Sequence, residues 1–226
     1  MEKVRTIIWD LDGTVWSYRE NEPSILCDFL NIHDKERFAK EFGKMWENLS
    51  LQFKEVIVTH DNVENFIEKQ IPVLKLYNVS ALELIQALCD KKRYTVTPNE
   101  DAIEMLKYFY EKGFKNISIT DWFAMYQQKS LEEFNALGYI EKIYGCDNTY
   151  FKDSKAKANE ISKELNIDDI RKEEFVIIGD SLSCDIFFAQ NLGIKSIWYN
   201  PQRKKNNTNN IPTLEVQSFL ELKTIF

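Results

Sequence analysis

The sequence predicts an α/β protein in which a doubly wound, mostly parallel sheet carries an inserted α-helical cap domain. Short apolar runs alternate with amphipathic helical patterns along most of the chain, as expected when each strand of a parallel sheet is buried on both faces. One long stretch, residues 15–97, breaks this alternation because its pattern is helical throughout. With 226 residues and 44% hydrophobic content, the chain can fill the core that such a fold requires.

The predicted strands are short apolar runs rich in isoleucine, valine and aromatic residues. The first run precedes the helical stretch and the others follow it, so most of the sheet comes from the second half of the chain. In chain order the strands are Val4–Trp9, Asn116–Thr120, Ile143–Cys146, Phe175–Ile178 and Ile194–Tyr199, of which Ile143–Cys146 has the weakest pattern.

Three predicted helices separate these strands. The first begins at the capping box Thr97–Glu100, with Pro98 at the first helical position, and ends at Gly113. Similar patterns predict helices from about Ser154 to Leu165 and from about Leu182 to Leu192.

The helical stretch is too long to be a crossover between strands. A βαβ crossover needs little more than a dozen residues, and the helix after Thr97 already provides one. We therefore predict two domains, a sheet domain formed by residues 1–14 and 98–226, and a helical cap formed by residues 15–97 that covers the strand ends.

Composition narrows the classes of partner. A net charge of −7 gives no general attraction for nucleic acid or an anionic membrane, and no apolar run is long enough to span a bilayer. The four cysteines are widely spaced and form no CxxC pair, which indicates reduced packing residues in a cytoplasmic protein. The only low-complexity patch, Pro201–Asn210, is typical of a solvated loop. No pattern in the sequence indicates the oligomeric state of the protein.

Two acidic turns follow predicted strands. Asp10 and Asp12 with Gly13 come directly after the first strand, and Asp180 and Asp185 follow a later one. In a doubly wound sheet both turns lie at the topological switch point, where ligands bind, which would bring Asp10, Asp12 and Asp180 to one crevice. Three close carboxylates repel one another unless a cation lies among them, and hard oxygen ligands favour Mg²⁺. With two histidines in the whole chain, carboxylates, hydroxyls and lysines must carry any chemistry.

These turns resemble the motifs of the haloacid dehalogenase superfamily, in its phosphatase branch with a helical, C1-type cap and a Rossmann-like core. The first motif, Asp-x-Asp-Gly-Thr, matches residues 10–14, and the second, a strand-ending Ser or Thr, matches Thr120. The fourth, Gly-Asp-Ser followed by another Asp, matches residues 179–185. Each motif is short, but their order and strand-end positions together make the resemblance specific, and it covers nearly the whole chain.

The third motif, a lysine often followed by proline, is the poorest match. Counting back from Leu165 leads to Lys152, but Asp153 stands in place of the proline and Lys155 lies one helical turn away. We take Lys152 as the motif lysine and keep Lys155 as the alternative. Lys157 and Lys163 are interpreted as part of a solvated helix face.

The resemblance implies a Mg²⁺-dependent phosphatase acting on a small phosphorylated metabolite. Asp10 would be the nucleophile that forms an aspartyl-phosphate, and Asp12 the acid and base. Mg²⁺ would be held by Asp10, by the main-chain carbonyl of Asp12 and by Asp180, with Asp185 behind them orienting metal waters or the lysine. The transferring phosphate would be bound by Gly13, Thr120, Asp121 and Lys152.

Two other functions fit parts of this pattern. A sugar phosphomutase of the same superfamily keeps both aspartates, whereas the dehalogenases lack the second one. A receiver-like switch accepts a phosphoryl group on Asp, but such domains are compact and have no inserted cap. Substrate specificity is expected in the cap and near Trp16 and Trp122, while Trp46 has helical spacing typical of packing.

Overall fold

The computed structural model describes residues 1–226 and contains one six-stranded sheet, in which every pair of neighbours is parallel. Numbered in chain order with the two strands of a separate ribbon, β2 and β3, the sheet has the order β5-β4-β1-β6-β7-β8. The strands are β1 (Thr6–Trp9), β2 (Trp16–Tyr18), β3 (Val96–Pro98), β4 (Lys115–Ile119), β5 (Lys142–Tyr144), β6 (Phe175–Gly179), β7 (Lys195–Tyr199) and β8 (Leu214–Val216).

Eleven α-helices accompany the strands. Six lie between β2 and β3: α1 (Glu22–Leu30), α2 (Lys35–Phe53), α3 (His60–Gln70), α4 (Val73–Leu76), α5 (Ala81–Asp90) and α6 (Lys92–Thr95). The others surround the sheet: α7 (Glu100–Glu111), α8 (Ala124–Glu133), α9 (Lys155–Leu165), α10 (Phe187–Leu192) and α11 (Leu222–Ile225). None is long and apolar enough to cross a membrane.

The first strand lies at the centre of the sheet. Ile8 pairs with Ile117 of β4 on one side and with Ile177 of β6 on the other. The chain moves outward from β4 to β5 and then returns to β6, so the topological switch point falls beside β1. The predicted doubly wound sheet is therefore confirmed, and the turns after β1, β4 and β6 share one edge.

Each face of the sheet has its own apolar cluster. One contains Trp9, Phe109 and Phe219, and the other contains Ile8, Ile161 and Phe188. Because successive side chains of a strand point to opposite faces, Ile8 and Trp9 enter different clusters. This explains why the strand sequences are continuously apolar rather than alternating.

The structure differs from the sequence analysis in three local details. The helix cap is Asn99, whose side chain accepts from Ala102 N, while Thr97 and Pro98 belong to β3 and pair with β2. The helix predicted from about Leu182 to Leu192 is confirmed over that range, but its first part, Leu182–Ile186, is π-helical and only the rest, α10, is α-helical. The edge strand β8 was not predicted, because its three residues provide too short a pattern.

The inserted segment forms a helical cap on a two-stranded stem. β2 and β3 are antiparallel and lie at the predicted domain boundaries, since β2 begins just after residue 15 and β3 runs across residue 97. The apolar core of the cap includes Phe42 and Met45, and it extends to Phe123 and Phe151 of the sheet domain. The cap is thus packed onto the sheet domain through a shared apolar core.

Candidate active site

Three carboxylates meet where the turns after β1 and β6 approach each other. The side chains of Asp10, Asp180 and Asp185 each offer an oxygen, and these atoms all lie within 4.8 Å of one another. Asp10 and Asp185 are buried, whereas Asp180 is exposed at the edge of the site. The two acidic turns converge as predicted, but the third carboxylate of the cluster is Asp185 and not Asp12.

Lys152 places the nearest positive charge among these carboxylates. Its ammonium group donates to Asp10 Oδ1 and, at 2.7 Å, to Asp185 Oδ1, and only 2% of the residue is exposed. Burial alone would lower the pKa of Lys152, but Asp10 and Asp185 outweigh it and hold that pKa well above its ordinary value. Lys155 is exposed on α9, so the geometry favours Lys152 over the alternative.

One neighbouring lysine differs from its prediction. Lys157 does not lie on a solvated face: it is buried, and its ammonium donates to the carbonyl of Gly145 at 2.6 Å. Lys163 is exposed, as predicted. An amphipathic pattern cannot reveal such a buried lysine, because its long stem packs like an apolar side chain.

The second oxygen of Asp10 is also held in place. Thr14 is buried and donates from its hydroxyl to Asp10 Oδ2 at 2.9 Å. Burial and then Asp185 raise the pKa of Asp10 well above its usual range, although Lys152 opposes the shift. The carboxylates outnumber the lysine, so the site has a net negative charge.

Two glycines allow the carboxylates to come this close. A Cβ atom on Gly13 would lie 2.7 Å from Asp180 Oδ2, and one on Gly179 would lie 2.2 Å from Asp185 Oδ2. Gly13 also has a φ of +94°, in the region that favours glycine. Its N–H donates to the carbonyl of Trp16, so Gly13 provides space beside Asp180 rather than the phosphate contact that we predicted.

The carboxylate of Asp12 points away from that cluster, towards the cap. Its Oδ1 accepts hydrogen bonds from Trp16 Nε1 at 2.7 Å, from Tyr18 OH at 2.5 Å and from Lys92 Nζ at 3.0 Å. Burial would raise the pKa of Asp12, but Lys92 and the bonds from Tyr18 and Trp16 outweigh it and lower the pKa. The side chain of Asp12 is therefore not available as a metal ligand, which leaves its main-chain carbonyl.

The end of β4 contributes Thr120 and Asp121. The amide group of Gln127, on α8, donates to Thr120 Oγ1 at 3.0 Å and to Asp12 Oδ2, and so connects the two motifs. Asp121 Oδ1 accepts from the main-chain N–H of Lys152 at 2.6 Å, which fixes the loop carrying the lysine. The N–H groups of Asp12 and Asp121 donate to no protein acceptor and lie at the same edge of the sheet.

The donor set fits a hard divalent cation. Three carboxylates with a single buried lysine leave negative charge uncompensated, and partial loss of solvent together with Asp185 raises the pKa of Asp180 to about 6. Asp10 and Asp180 would hold Mg²⁺. Asp185 was predicted to lie behind the metal ligands, but its carboxylate is part of the cluster. Its two oxygens already accept hydrogen bonds from Lys152 and from the N–H of Ser181.

A cavity of about 520 Å³ opens onto these residues and is lined by both domains. The rings of Trp46, from the cap, and Trp122, from the sheet domain, lie 5.4 Å apart and both line it. Trp122, which was expected to face a leaving group, thus lines the cavity, and Trp46, which was interpreted as packing, lines it as well. Trp16 is fully buried and binds Asp12, so the prediction that it faces a leaving group was wrong.

Several residues of this site were assigned no role from the sequence. Lys92, Tyr18 and Glu22 come from the ends of the cap segment and line the cavity, and Gln127 lies on α8. No short motif marks them, because the fold brings them to Asp12 from distant positions. For Tyr18, Glu22 and Lys92 the only available signal was their location near the predicted cap boundaries, and Gln127 had none.

A family model described as haloacid dehalogenase-like hydrolase matches residues 7–199. The chain is 26% identical over 231 residues to YfnB of Bacillus subtilis (strain 168), which is described as a HAD-hydrolase, covering 98% of this chain and 95% of that protein. It is also 29% identical over 121 residues to the pyrimidine 5′-nucleotidase PynA of Streptococcus pneumoniae (strain ATCC BAA-255 / R6), covering 54% and 51% of the two chains.

Solved structures share the fold. The crystal structure of YfnB from Bacillus subtilis bound to magnesium has a TM-score of 0.74 at 24% identity, covering 99% of this chain and 98% of that one. A HAD phosphatase from Thermococcus onnurineus has a TM-score of 0.66 at 20% identity, covering 98% and 97%. A 2-haloacid dehalogenase from Pseudomonas syringae pv. Tomato DC3000 has a TM-score of 0.67 at 18% identity, with the same coverage of 98% and 97%.

Proposed function

Because this chain belongs to the haloacid dehalogenase-like hydrolases, we propose that it is a Mg²⁺-dependent phosphatase that hydrolyses a small phosphate monoester through a phosphorylated Asp10. The observation that carries the proposal is the pair of aspartates after β1. Asp10 lies in the carboxylate cluster with Lys152, while Asp12 lies apart in hydrogen bonds from Lys92 and Gln127. This separation supports Asp10 as the group that attacks and Asp12 as the group that exchanges a proton.

In the first step, an oxygen of Asp10 forms a bond to phosphorus and the bond to the leaving oxygen breaks. Protonated Asp12 gives its proton to that oxygen. Since Lys92 lowers the pKa of Asp12, the acid form is less populated but donates more readily. Lys152 and the hydroxyl of Thr120 are placed to bind the phosphate oxygens, together with the free N–H groups of Asp12 and Asp121.

In the second step, water attacks phosphorus, the bond to Asp10 breaks, and Asp12 takes the proton of the water. The released products are inorganic phosphate and the alcohol, and Asp12 returns to its starting form. When bound, Mg²⁺ would supply positive charge that offsets the repulsion between Asp10 and the phosphate. Asp185 holds Lys152 in position, and Thr14 holds Asp10.

Asp12 supports ester hydrolysis over dehalogenation, because a halide leaving group needs no proton. Nucleosides are the first class of leaving group to test. PynA is a pyrimidine 5′-nucleotidase, and Trp46 and Trp122 offer a base an aromatic surface at the cavity.

Steady release of phosphate from p-nitrophenyl phosphate with Mg²⁺, and from a panel of nucleoside monophosphates and sugar phosphates, tests this proposal. A single stable phosphorylation without turnover would indicate a switch. Conversion of a sugar phosphate into its isomer without net phosphate release would indicate a mutase. Either result contradicts the phosphatase.

A further inference from the structure

Glu22 is a buried carboxylate that none of the steps above uses. It is the first residue of α1, a short turn after the stem strand β2, and it lines the cavity together with Asp12 and Lys92. Only 7% of the residue is exposed. A glutamate at the start of a helix normally extends into solvent, where it interacts with the helix dipole, so this burial needs another explanation.

The carboxylate of Glu22 lacks the partners that usually accompany burial. Its Oε1 is buried and has no hydrogen-bond partner in the protein. Asn21 is the cap residue of α1, so Glu22 does not cap the helix either. Burying an unpaired polar atom lowers stability unless something else binds it, which is why such atoms are rare and concentrate at binding sites.

The surroundings of Glu22 indicate what would bind there. Lys92 lies close enough to favour its charged form, and Asp12 opposes it, while burial raises the pKa of Glu22 to about 7. Lys92 itself is already bound to Asp12 and Tyr18. The carboxylate of Glu22, which lines the cavity beside the acid and base and carries an oxygen without a partner, is an acceptor available to a ligand.

We propose that Glu22 determines specificity by accepting a hydrogen bond from an O–H or N–H group of the leaving group. The preferred substrates would be phosphate esters of polyhydroxylated alcohols such as sugars and nucleosides, rather than alkyl or aryl esters. This rests on the proposed phosphatase function. A site built around a buried acceptor rejects an analogue without the donor, because the acceptor then stays buried and unpaired.

The test compares ribose 5-phosphate with n-pentyl phosphate, which has the same number of carbon atoms and no hydroxyl groups. The ratio of their kcat/KM values is measured with Mg²⁺ for the wild type, Glu22→Leu and Glu22→Gln. Ser50→Ala, which changes another polar residue lining the cavity, is the control.

We expect the wild type to favour ribose 5-phosphate and Glu22→Leu to lower that ratio by about 10- to 100-fold, as expected for a lost hydrogen bond to a charged acceptor. Glu22→Gln, which keeps an acceptor oxygen, should fall between them, and Ser50→Ala should leave the ratio unchanged. An equal ratio in the wild type and Glu22→Leu would overturn the inference.

If the wild type hydrolyses neither ester, nor any of the panel, the proposed function fails. The inference is then decided by calorimetric binding of the same two esters to the wild type and Glu22→Leu. A preference for ribose 5-phosphate that disappears in Glu22→Leu supports it, and equal binding of both esters by both proteins overturns it. Absence of hydrolysis thus contradicts the proposed phosphatase function, whereas unchanged selectivity in Glu22→Leu contradicts the role of Glu22, so the two failures can be distinguished.

Discussion

Asp10 is the residue on which the proposed chemistry depends most directly. Asp10→Asn keeps the size of the side chain but removes the nucleophile, so we expect Mg²⁺-dependent phosphate release to fall by several orders of magnitude. Asp169→Asn, a change at a side chain that is 97% exposed, serves as the control and should retain activity. Near-normal turnover by a folded Asp10→Asn protein would show that another group attacks phosphorus.

The choice between Lys152 and Lys155 can be tested in the same assay. Lys152→Ala removes the buried charge between Asp10 and Asp185, and we expect kcat to fall by about 100-fold or more. Lys155→Ala changes an exposed residue and should alter kcat by less than about twofold. A larger effect at Lys155 than at Lys152 would contradict the assignment.

Glu22 also predicts a dependence of stability on pH. Its pKa is raised from 4.5 to about 7 on folding, so the folded state binds more protons than the unfolded state between these values. Stability contributed by this residue is therefore lost as pH rises through that window, by on the order of 3 kcal/mol in total. Glu22→Gln should remove this loss, and denaturant unfolding of both proteins from about pH 5 to about pH 8 measures the difference.

A constant difference in unfolding free energy between the wild type and Glu22→Gln across that range would contradict the raised pKa. A variant that is more stable at high pH but less selective would be consistent with a residue kept for binding rather than for folding.

At this scale, the sequence predicts the charged residues of the motifs but not the residues that hold them. Asp10, Asp180 and Lys152 could be found because short motifs place them at strand ends. Lys92 and Gln127 could not, because they meet Asp12 only after the stem ribbon and α8 have folded around it. Trp16 was misassigned because proximity in sequence does not reveal the direction in which an indole points.

The turn after β1 sets the spacing of the carboxylate cluster. Gly13→Ala would place a methyl group 2.7 Å from Asp180 Oδ2 at a φ of +94°, so we expect a loss of about 1–3 kcal/mol in stability and weaker Mg²⁺ binding. Gly43→Ala, within α2 and with nothing within 4 Å, is the matched control and should stabilise the protein by up to about 1 kcal/mol.

Denaturant unfolding and a Mg²⁺ titration of both glycine variants check this. Equal stability and equal Mg²⁺ affinity in Gly13→Ala and the wild type would show that the turn has room that the structure does not indicate.

Strands with an apolar pattern were predicted closely, including β5, whose pattern is the weakest. β1, β4, β6 and β7 differ from their predicted bounds by only one or two residues. Thr97 and Pro98 were wrongly given to a helix because the capping pattern is local, whereas their pairing with Trp16 and Ser17 is a contact between distant parts of the chain. The π-helical turn at Leu182–Ile186 has no distinct sequence pattern either.

On the scale of the whole molecule, Trp46 and Trp122 join the two domains across the cavity. In a double-mutant cycle of Trp46→Ala and Trp122→Ala, we expect a coupling of about 0.5–1.5 kcal/mol in unfolding free energy, because the two rings pack against each other. Both changes should also lower kcat/KM for aromatic leaving groups more than for small aliphatic ones. Strictly additive effects would show that the domains do not interact through these rings.

The apolar core shared by the two domains has a consequence for the modularity of the protein. Phe123 and Phe151 follow the insertion in sequence but complete the interior of the inserted helices. A cap transplanted onto another sheet domain would leave that interior open unless both phenylalanines travelled with it. The two parts should accordingly melt in one calorimetric peak, and they can diverge in evolution only as far as this common interior allows.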